Sequence, residues 1–369
     1  MRPPTKGKSM RTLLLVPLLV AALGAATIAR AAHHAADNPP AGTNPAAWNP
    51  KAAATFLDER ADWWAAQKFA ARDHDTYCVA CHSGVPFILG RAALRERLGE
   101  AGIAPSAKRL LENVTKRVRL WGEVEPYYKG EIKAVESRGT EAVLNALILA
   151  PENNADTRLA FTNMWAEQGK DGAFPWLQFK LQPWEAPDSV YYGATLAAVA
   201  LGLTSTEYRD SAENAAGVQA LKKYLQDQGG AQSLILRATL LWASTKLPGL
   251  LTPAQQQDIL TEALAAQAED GGWSLGAVVG TWERRDKTPL ETRSDGYATG
   301  VITLALVQSG ARDHPQVKRA LAWLVANQDP TEGHWVSWSL NKQRPATDRA
   351  ARMMDDAATA YAVLALTGL

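Results

Sequence analysis

Cys78, Cys81 and His82 lie in the run Tyr77-Cys78-Val79-Ala80-Cys81-His82, a spacing that could do chemistry. Two thiols three positions apart can each add to a porphyrin vinyl group, and the next residue then sets an imidazole under the iron. The order C-x-x-C-H reads as a c-type haem attachment site, with Cys78 and Cys81 forming the thioethers and His82 as the proximal iron ligand. Three other readings compete. A Cys78–Cys81 disulfide would close a very small loop, but thiol oxidoreductases put such a pair at a βα turn, and no strand pattern precedes this one. A zinc site would need ligands from elsewhere, with no second Cys pair to supply them. The third is a pair of buried, inert thiols. These two Cys are the chain's full complement, so thioether formation would leave no thiol spare.

The elements that must position this run are helical. With 369 residues and 47% hydrophobic content, the chain can fill one large core or two ordinary ones. Ala dominates the apolar share, and few Val, Ile or Thr runs alternate with polar residues, which favours helices over strands. The first residues read as a targeting segment. Arg2, Lys6, Lys8 and Arg11 precede an apolar run over 12–28, and Ala29-Arg30-Ala31 offers a small-x-small cleavage pattern. Residues 1–31 are therefore expected to be a signal peptide, with an uncleaved anchor as the other reading. A periplasmic or secreted mature chain agrees with the haem motif, since such motifs imply haem attachment outside the cytoplasm. Residues 32–49, with Asn38-Pro39-Pro40 and Asn44-Pro45, read as a flexible linker. Removing the five positive residues Arg2, Lys6, Lys8, Arg11 and Arg30 takes the nominal net charge from +1 to −4. No basic patch with interleaved aromatics occurs, so nucleic-acid binding is not expected.

From residue 50 to 369 a unit repeats six times in pattern. An amphipathic helix ends in Gln, a Gly- and Trp-containing loop follows, and a more uniformly apolar helix comes next. The last copy has residues 318–328 ending in Gln328, then Gly333-His334-Trp335, then a helix opening at Asp355-Asp356. The fifth has Gln267, Gly271-Gly272-Trp273 and a helix opening at Ser294-Asp295. The third has Gln168, Gly172-Ala173-Phe174 and a helix opening at Asp188-Ser189. In the first copy the C-x-x-C-H run at 78–82 replaces the Gly/Trp loop. The outer helix of each pair keeps a charged face to solvent, while the inner one is apolar nearly all round and must be buried. Six pairs form a closed all-α ring, an (α/α)6 toroid. Asp188, Asp295 and Asp355/Asp356 are read chiefly as caps of inner helices.

The Gln…Gly-x-Trp pattern at Gln328 with Trp335, and at Gln267 with Trp273, resembles the QW repeats of squalene–hopene cyclases and the wider terpenoid-cyclase/prenyltransferase toroids. That resemblance implies the toroid and implies that Gln and Trp tie neighbouring helices together. It does not bring cyclase activity with it. The Asp-x-Asp-Asp and Asp-Asp-x-x-Asp motifs are missing, and the prenyltransferase zinc site needs a Cys that the haem motif already uses.

In a toroid, repeat six closes on repeat one, so the loop between Gln328 and Asp355 should lie beside Cys78–His82. That loop supplies His334, Met353 and Met354 as candidate sixth iron ligands, and Lys342 and Arg344 as candidate partners of haem propionates. Trp176, Trp184, Tyr191, Tyr192, Trp273, Trp282, Tyr297, Trp335 and Trp338 either pack loops on helices or line a mouth for an apolar substrate. The expectation is an exported monohaem c-type cytochrome that serves a redox partner protein. The alternatives are a haem-dependent oxidoreductase acting on a small hydrophobic substrate, and a non-redox lipid- or terpenoid-binding protein. Peripheral membrane contact is left open.

Overall fold

Uniformly apolar Ala/Leu/Thr segments alternate with amphipathic ones, and each becomes one helix of a pair. The computed structural model describes residues 47–345, 348 and 351–368. The expected signal peptide and all but the last three residues of the expected linker lie outside the described residues. Among the described residues twelve long helices occur: α1 (Pro50–Ala65), α2 (Gly84–Leu98), α3 (Pro105–Arg119), α4 (Glu131–Leu149), α5 (Ala155–Ala166), α6 (Ser189–Gly202), α7 (Ala212–Gly229), α8 (Leu234–Lys246), α9 (Pro253–Ala265), α10 (Gly296–Leu306), α11 (Pro315–Ala326) and α12 (Arg352–Thr367). A two-stranded antiparallel hairpin, β1 (Ala71–Arg72) and β2 (Thr76–Tyr77), sits in the first loop. Among the described residues no helix is long and apolar enough to cross a membrane.

The even-numbered helices form the inner ring. Each packs on the next in the order α2, α4, α6, α8, α10, α12, and α12 returns to α2. Burial follows from this position: residues 191–201 of α6 and the whole of α10 are buried. The odd-numbered helices lean on the ring from outside. Their starts carry the expected caps. Asn49 Oδ1 accepts from Ala52 N ahead of α1, and Thr252 and Gln255 cap α9 reciprocally.

The repeat glutamines hold the outer layer together. Gln168 Nε2 donates to the carbonyls of Gly172 and Gly217, both at 3.0 Å. Gln267 Nε2 donates to Gly271 O and Gln316 O, both at 2.8 Å. In each case one bond closes the loop and the other reaches the next outer helix. Gln328 repeats this with Gly333 O at 2.8 Å and Asn49 O at 3.0 Å, which joins the last repeat to the first. The loop tryptophans turn inward. Trp273 Nε1 donates to Ala263 O at 2.8 Å and Trp335 Nε1 to Leu324 O at 2.7 Å, and both rings are fully buried. Gly333 has φ +77°, and a Cβ there would lie 2.5 Å from the Ala52 carbonyl carbon, so the closing contact needs glycine at this point.

The axis of the ring is filled. Tyr192 on α6 and Tyr361 on α12, helices on opposite sides, meet hydroxyl to hydroxyl at 3.2 Å. Tyr297 and Trp242 pack edge-on against Tyr361 at 5.7 and 6.2 Å. Trp176 lies edge-on to Tyr192 at 6.1 Å. Trp176, Trp184, Tyr191, Tyr192, Trp273, Tyr297 and Trp335 are therefore buried packing, while Trp282 and Trp338 are half-buried.

Candidate functional site

The loop of repeat one is pinned from several sides. Cys78 N donates to Ala70 O at 2.8 Å, and Asn113 on α3 brackets Tyr77 through both of its backbone groups. Trp64 Nε1 donates to Cys78 O at 2.7 Å, and Val79 N donates to the Tyr127 hydroxyl at 3.3 Å. Beneath the hairpin, Arg117 is fully buried. It pairs with Glu141 and also donates to Thr76 Oγ1 at 2.7 Å. Such a buried, charge-assisted network keeps the loop in one conformation.

His82 follows as the head of a relay. Its Nδ1 lies 2.9 Å from Ser83 Oγ, which donates to Asp356 Oδ2 at 2.9 Å. Arg60 binds both oxygens of Asp356, at 2.5 and 3.0 Å, and burial raises the Asp356 carboxyl above its ordinary value against that pull. When Ser83 gives its proton to Asp356, His82 donates through Nδ1–H and keeps its lone pair on Nε2. Burial, aided by the charge of Arg60, pulls His82 down to about 4, so the ring is neutral at ordinary pH.

His82 shares a cavity with Trp64, Phe69, Arg72, Cys78, Cys81, Tyr127, Tyr128 and Glu185. The cavity comprises about 450 Å³ of space between atoms, solvent at its opening included. Glu185 arrives from the loop before α6, where backbone bonds between Leu181 and Glu185 form a tight two-residue bridge. Burial raises Glu185 to about 7, against the opposing effects of the Cys81 thiol and Lys133. Its Oε1 lies 3.8 Å from Cys81 Sγ. Burial pushes the Cys78 thiol up to about 12 and Cys81 well above its ordinary value, so both stay protonated.

These facts correct the haem expectation. Cys78 and Cys81 are buried, with both thiols held protonated and Cys81 turned towards Glu185. The His82 ring packs on Trp64 edge-on at 5.3 Å and against Trp184 at 5.6 Å, and is part-buried at the cavity wall. The candidate sixth ligands lie elsewhere. His334 is buried, stacked on Phe56 at 5.0 Å, with Nε2 3.7 Å from Asp355. Met354 is packed in the core at the start of α12 and Met353 is half-buried beside it. Arg344 pairs with Asp348 at 2.7 Å, and Lys342 is exposed on a segment whose Asn341 is bonded to Gln182. Among the described residues none of these five lines the cavity, and no group of three or more His, Cys, Asp or Glu side chains could hold a metal ion. Haem c is therefore withdrawn as a cofactor. With it go the electron-transfer role, the haem oxidoreductase and, given the filled axis, a lipid or terpenoid held within the barrel.

The sequence reading missed Glu185, Arg72 and the Ser83–Asp356 relay. Asp356 carries a visible signal, a carboxylate pair at the head of an apolar helix, but its partner is Arg60 of another repeat rather than a backbone amide. Asp295 does cap its helix, accepting from the amides of Tyr297 and Ala298 at 2.9 and 3.0 Å.

No family model matches the sequence, and no curated protein is close to it in sequence. Solved structures do resemble the fold. A polysaccharide lyase superposes with a TM-score of 0.52 at 11% identity, over 86% of this chain and 96% of its own. An inactive variant of an alpha-1,6-mannanase of Salegentibacter sp. HEL1_6, in complex with alpha-1,6-mannotetrose, gives 0.51 at 14% identity, over 86% and 99%. The unsaturated glucuronyl hydrolase of Bacillus sp. GL1, described as responsible for glycosaminoglycan degradation, gives 0.51 at 11% identity, over 86% and 95%. These three are carbohydrate-processing proteins, neither cytochromes nor terpenoid cyclases, so the cyclase resemblance extends to the architecture and no further. At this level of identity the likeness shows the fold: the chain is an all-α toroid of six outer–inner helix pairs.

Proposed function

We propose that this chain is an acid–base enzyme acting on carbohydrate, a hydrolase or a lyase, at the rim cavity of repeat one. The observation that carries the reading is the pair Glu185 and His82 in one cavity, with proton affinities driven in opposite directions. A carboxyl raised to about 7 can still give a proton near neutrality, and a neutral imidazole lowered to about 4 can take one. Trp64 and the exposed Phe69, 5.5 Å apart edge to face, with Tyr128 nearby, offer flat apolar faces at the mouth for sugar rings. The carbohydrate-processing activities named for the similar toroids support the same substrate class. An exported protein, as residues 1–31 suggest, would meet such polymers outside the cytoplasm.

The test is a panel of neutral and acidic polysaccharides incubated with wild type, Glu185→Gln and His82→Ala. Release of new chain ends by the wild type is expected, with a fall of about 10²- to 10⁴-fold in each variant. No release from any polymer, or variants as active as the wild type, would overturn the proposal.

A further inference from the structure

Glu185 reaches the cavity on a short hairpin whose anchors lie in other repeats. The hairpin is tied by Phe179 N to Glu185 O at 2.8 Å, Leu181 N to Glu185 O at 3.0 Å and Glu185 N to Leu181 O at 2.8 Å. Asn341, in the loop of repeat six, holds its turn: Gln182 N donates to Asn341 Oδ1 at 3.0 Å, and Asn341 Nδ2 donates to Gln182 O at 2.8 Å. Arg285, in the loop of repeat five, holds its first arm, with Nη2 donating to Phe179 O at 2.6 Å and Lys180 O at 3.0 Å. The two anchors are joined, since Arg285 N donates to Asn341 O at 3.0 Å. Trp282 Nε1 to Leu340 O at 2.8 Å and the buried Arg284 through Nε to Ser339 O at 2.9 Å lash the two loops together. Neither Asn341 nor Arg285 lines the cavity.

We infer that Asn341 and Arg285 are positioning residues of the acid: repeats five and six clamp Glu185 into a cavity that they do not themselves line. This rests on the reading of Glu185 as the proton donor. A carboxyl in a buried site gains by swinging out to water, where it ionises freely. A short hairpin has little of its own to resist that movement. The clamp supplies the resistance through bonds to main-chain groups, so it acts whatever side chains the hairpin carries. The far arm stays tied without it, because Trp176 Nε1 donates to Trp184 O and Trp184 Nε1 to the Tyr297 hydroxyl. Cutting the clamp therefore loosens the hairpin without unfolding the ring. The other ionisable groups around Glu185 are Cys78, Cys81, His82, Arg72, Tyr127, Tyr128 and, on α4, Lys133. All belong to repeats one and two, and neither Asn341 nor Arg285 bonds to them.

The test is carboxyl-carbon NMR of protein labelled at glutamate, with Glu185 identified by the signal missing from Glu185→Gln. In the wild type that signal should titrate at about 7. In Asn341→Ala and in Arg285→Ala it should move down by about half a unit or more, towards the ordinary value of about 4.3, with Arg285→Lys recovering part of the shift. His82, followed in the same samples, should keep its value of about 4. Lys342→Ala, next to Asn341 but outside the clamp, should leave Glu185 unmoved. The side chain of Arg285 is exposed, so its removal tests the clamp even where Asn341→Ala fails to fold. On a polymer that the wild type cleaves, the alkaline limb should move with the NMR value, which a merely structural role would not shift. If Glu185 titrates at about 7 in the wild type and in the clamp variants alike, the clamp proposal fails and the acid–base reading stands. If it titrates at about 4.3 in the wild type, both fail.

Discussion

Gln328 and Asn49 exchange a pair of backbone–side-chain hydrogen bonds across the seam of the ring: Gln328 Nε2 to Asn49 O at 3.0 Å, and Asn49 N to Gln328 Oε1 at 2.6 Å. The residues stand 279 positions apart, so the bond joins the two ends of the repeat array. Gln328→Ala should cost about 1–3 kcal/mol, since three backbone groups, Asn49 N, Asn49 O and Gly333 O, lose their partner. Urea unfolding measures it, and an unchanged midpoint would show that the seam is held by packing alone.

The proposed activity should follow a bell-shaped pH profile. His82 must be neutral to act as a base, so the acid limb falls near its value of about 4. Glu185 must be protonated to act as an acid, so the alkaline limb falls near about 7. In Glu185→Gln the residual rate should lose the limb near 7. A profile rising through pH 8 in the wild type would exclude Glu185 as the proton donor.

Stability should carry its own signature of Glu185. An unfolded Glu titrates near about 4.3, so between there and about 7 the folded chain holds a proton that the unfolded chain has lost. The stability from this group is fully present below about 4 and disappears as pH rises through about 7. His82 acts in the opposite sense: its folded value lies below the unfolded one, so its contribution is lost as pH falls from about 6.5 towards 4. The wild type should therefore lose on the order of 1–2 kcal/mol relative to Glu185→Gln between roughly pH 5 and pH 8. Parallel curves of unfolding midpoint against pH would refute the assignment.

Arg60 and Asp356 form a buried ion pair between α1 and α12, with Arg60 also 4.3 Å from the Trp63 ring centre. Asp356→Asn leaves the guanidinium buried without its countercharge and should cost about 3–5 kcal/mol, read from chemical denaturation. A loss below about 1 kcal/mol would mean that solvent reaches the pair.

The tyrosines on the axis separate packing from hydrogen bonding. Tyr361→Phe removes only the contact to Tyr192 and should cost about 1 kcal/mol. Tyr361→Ala empties the centre of the ring and should cost about 3–5 kcal/mol. Equal thermal midpoints for the two variants would show that the axis can collapse around the deletion.

The toroid was legible because its signals are periodic. Apolar helices such as Ser189–Gly202 can only be inner ones, and Gln168, Gln267 and Gln328 recur at the ends of outer helices, where each bonds its neighbour. The site was not legible in the same way. The spacing of Cys78, Cys81 and His82 states what the side chains could bond to, but not how much room lies beside them. That room is set by Trp64, Tyr127 and Leu177, drawn from three different repeats. Glu185 sits between Trp184 and Ala186 with no motif around it, and its raised proton affinity arises from burial that only the assembled rim produces. His334 in a polar loop was a candidate ligand, yet ring closure lays it on Phe56 instead.

An open array of repeats melts inward from its ends, because each terminal unit has one neighbour and needs a polar cap. Here α12 covers α2 and α1, and Gly333 presses on Ala52, so the array has no terminal unit. Loss of any one pair strips a neighbour from both sides at once. Denaturation should accordingly be a single all-or-none event, and the rim cavity, walled by repeats one to three, should survive intact until that event.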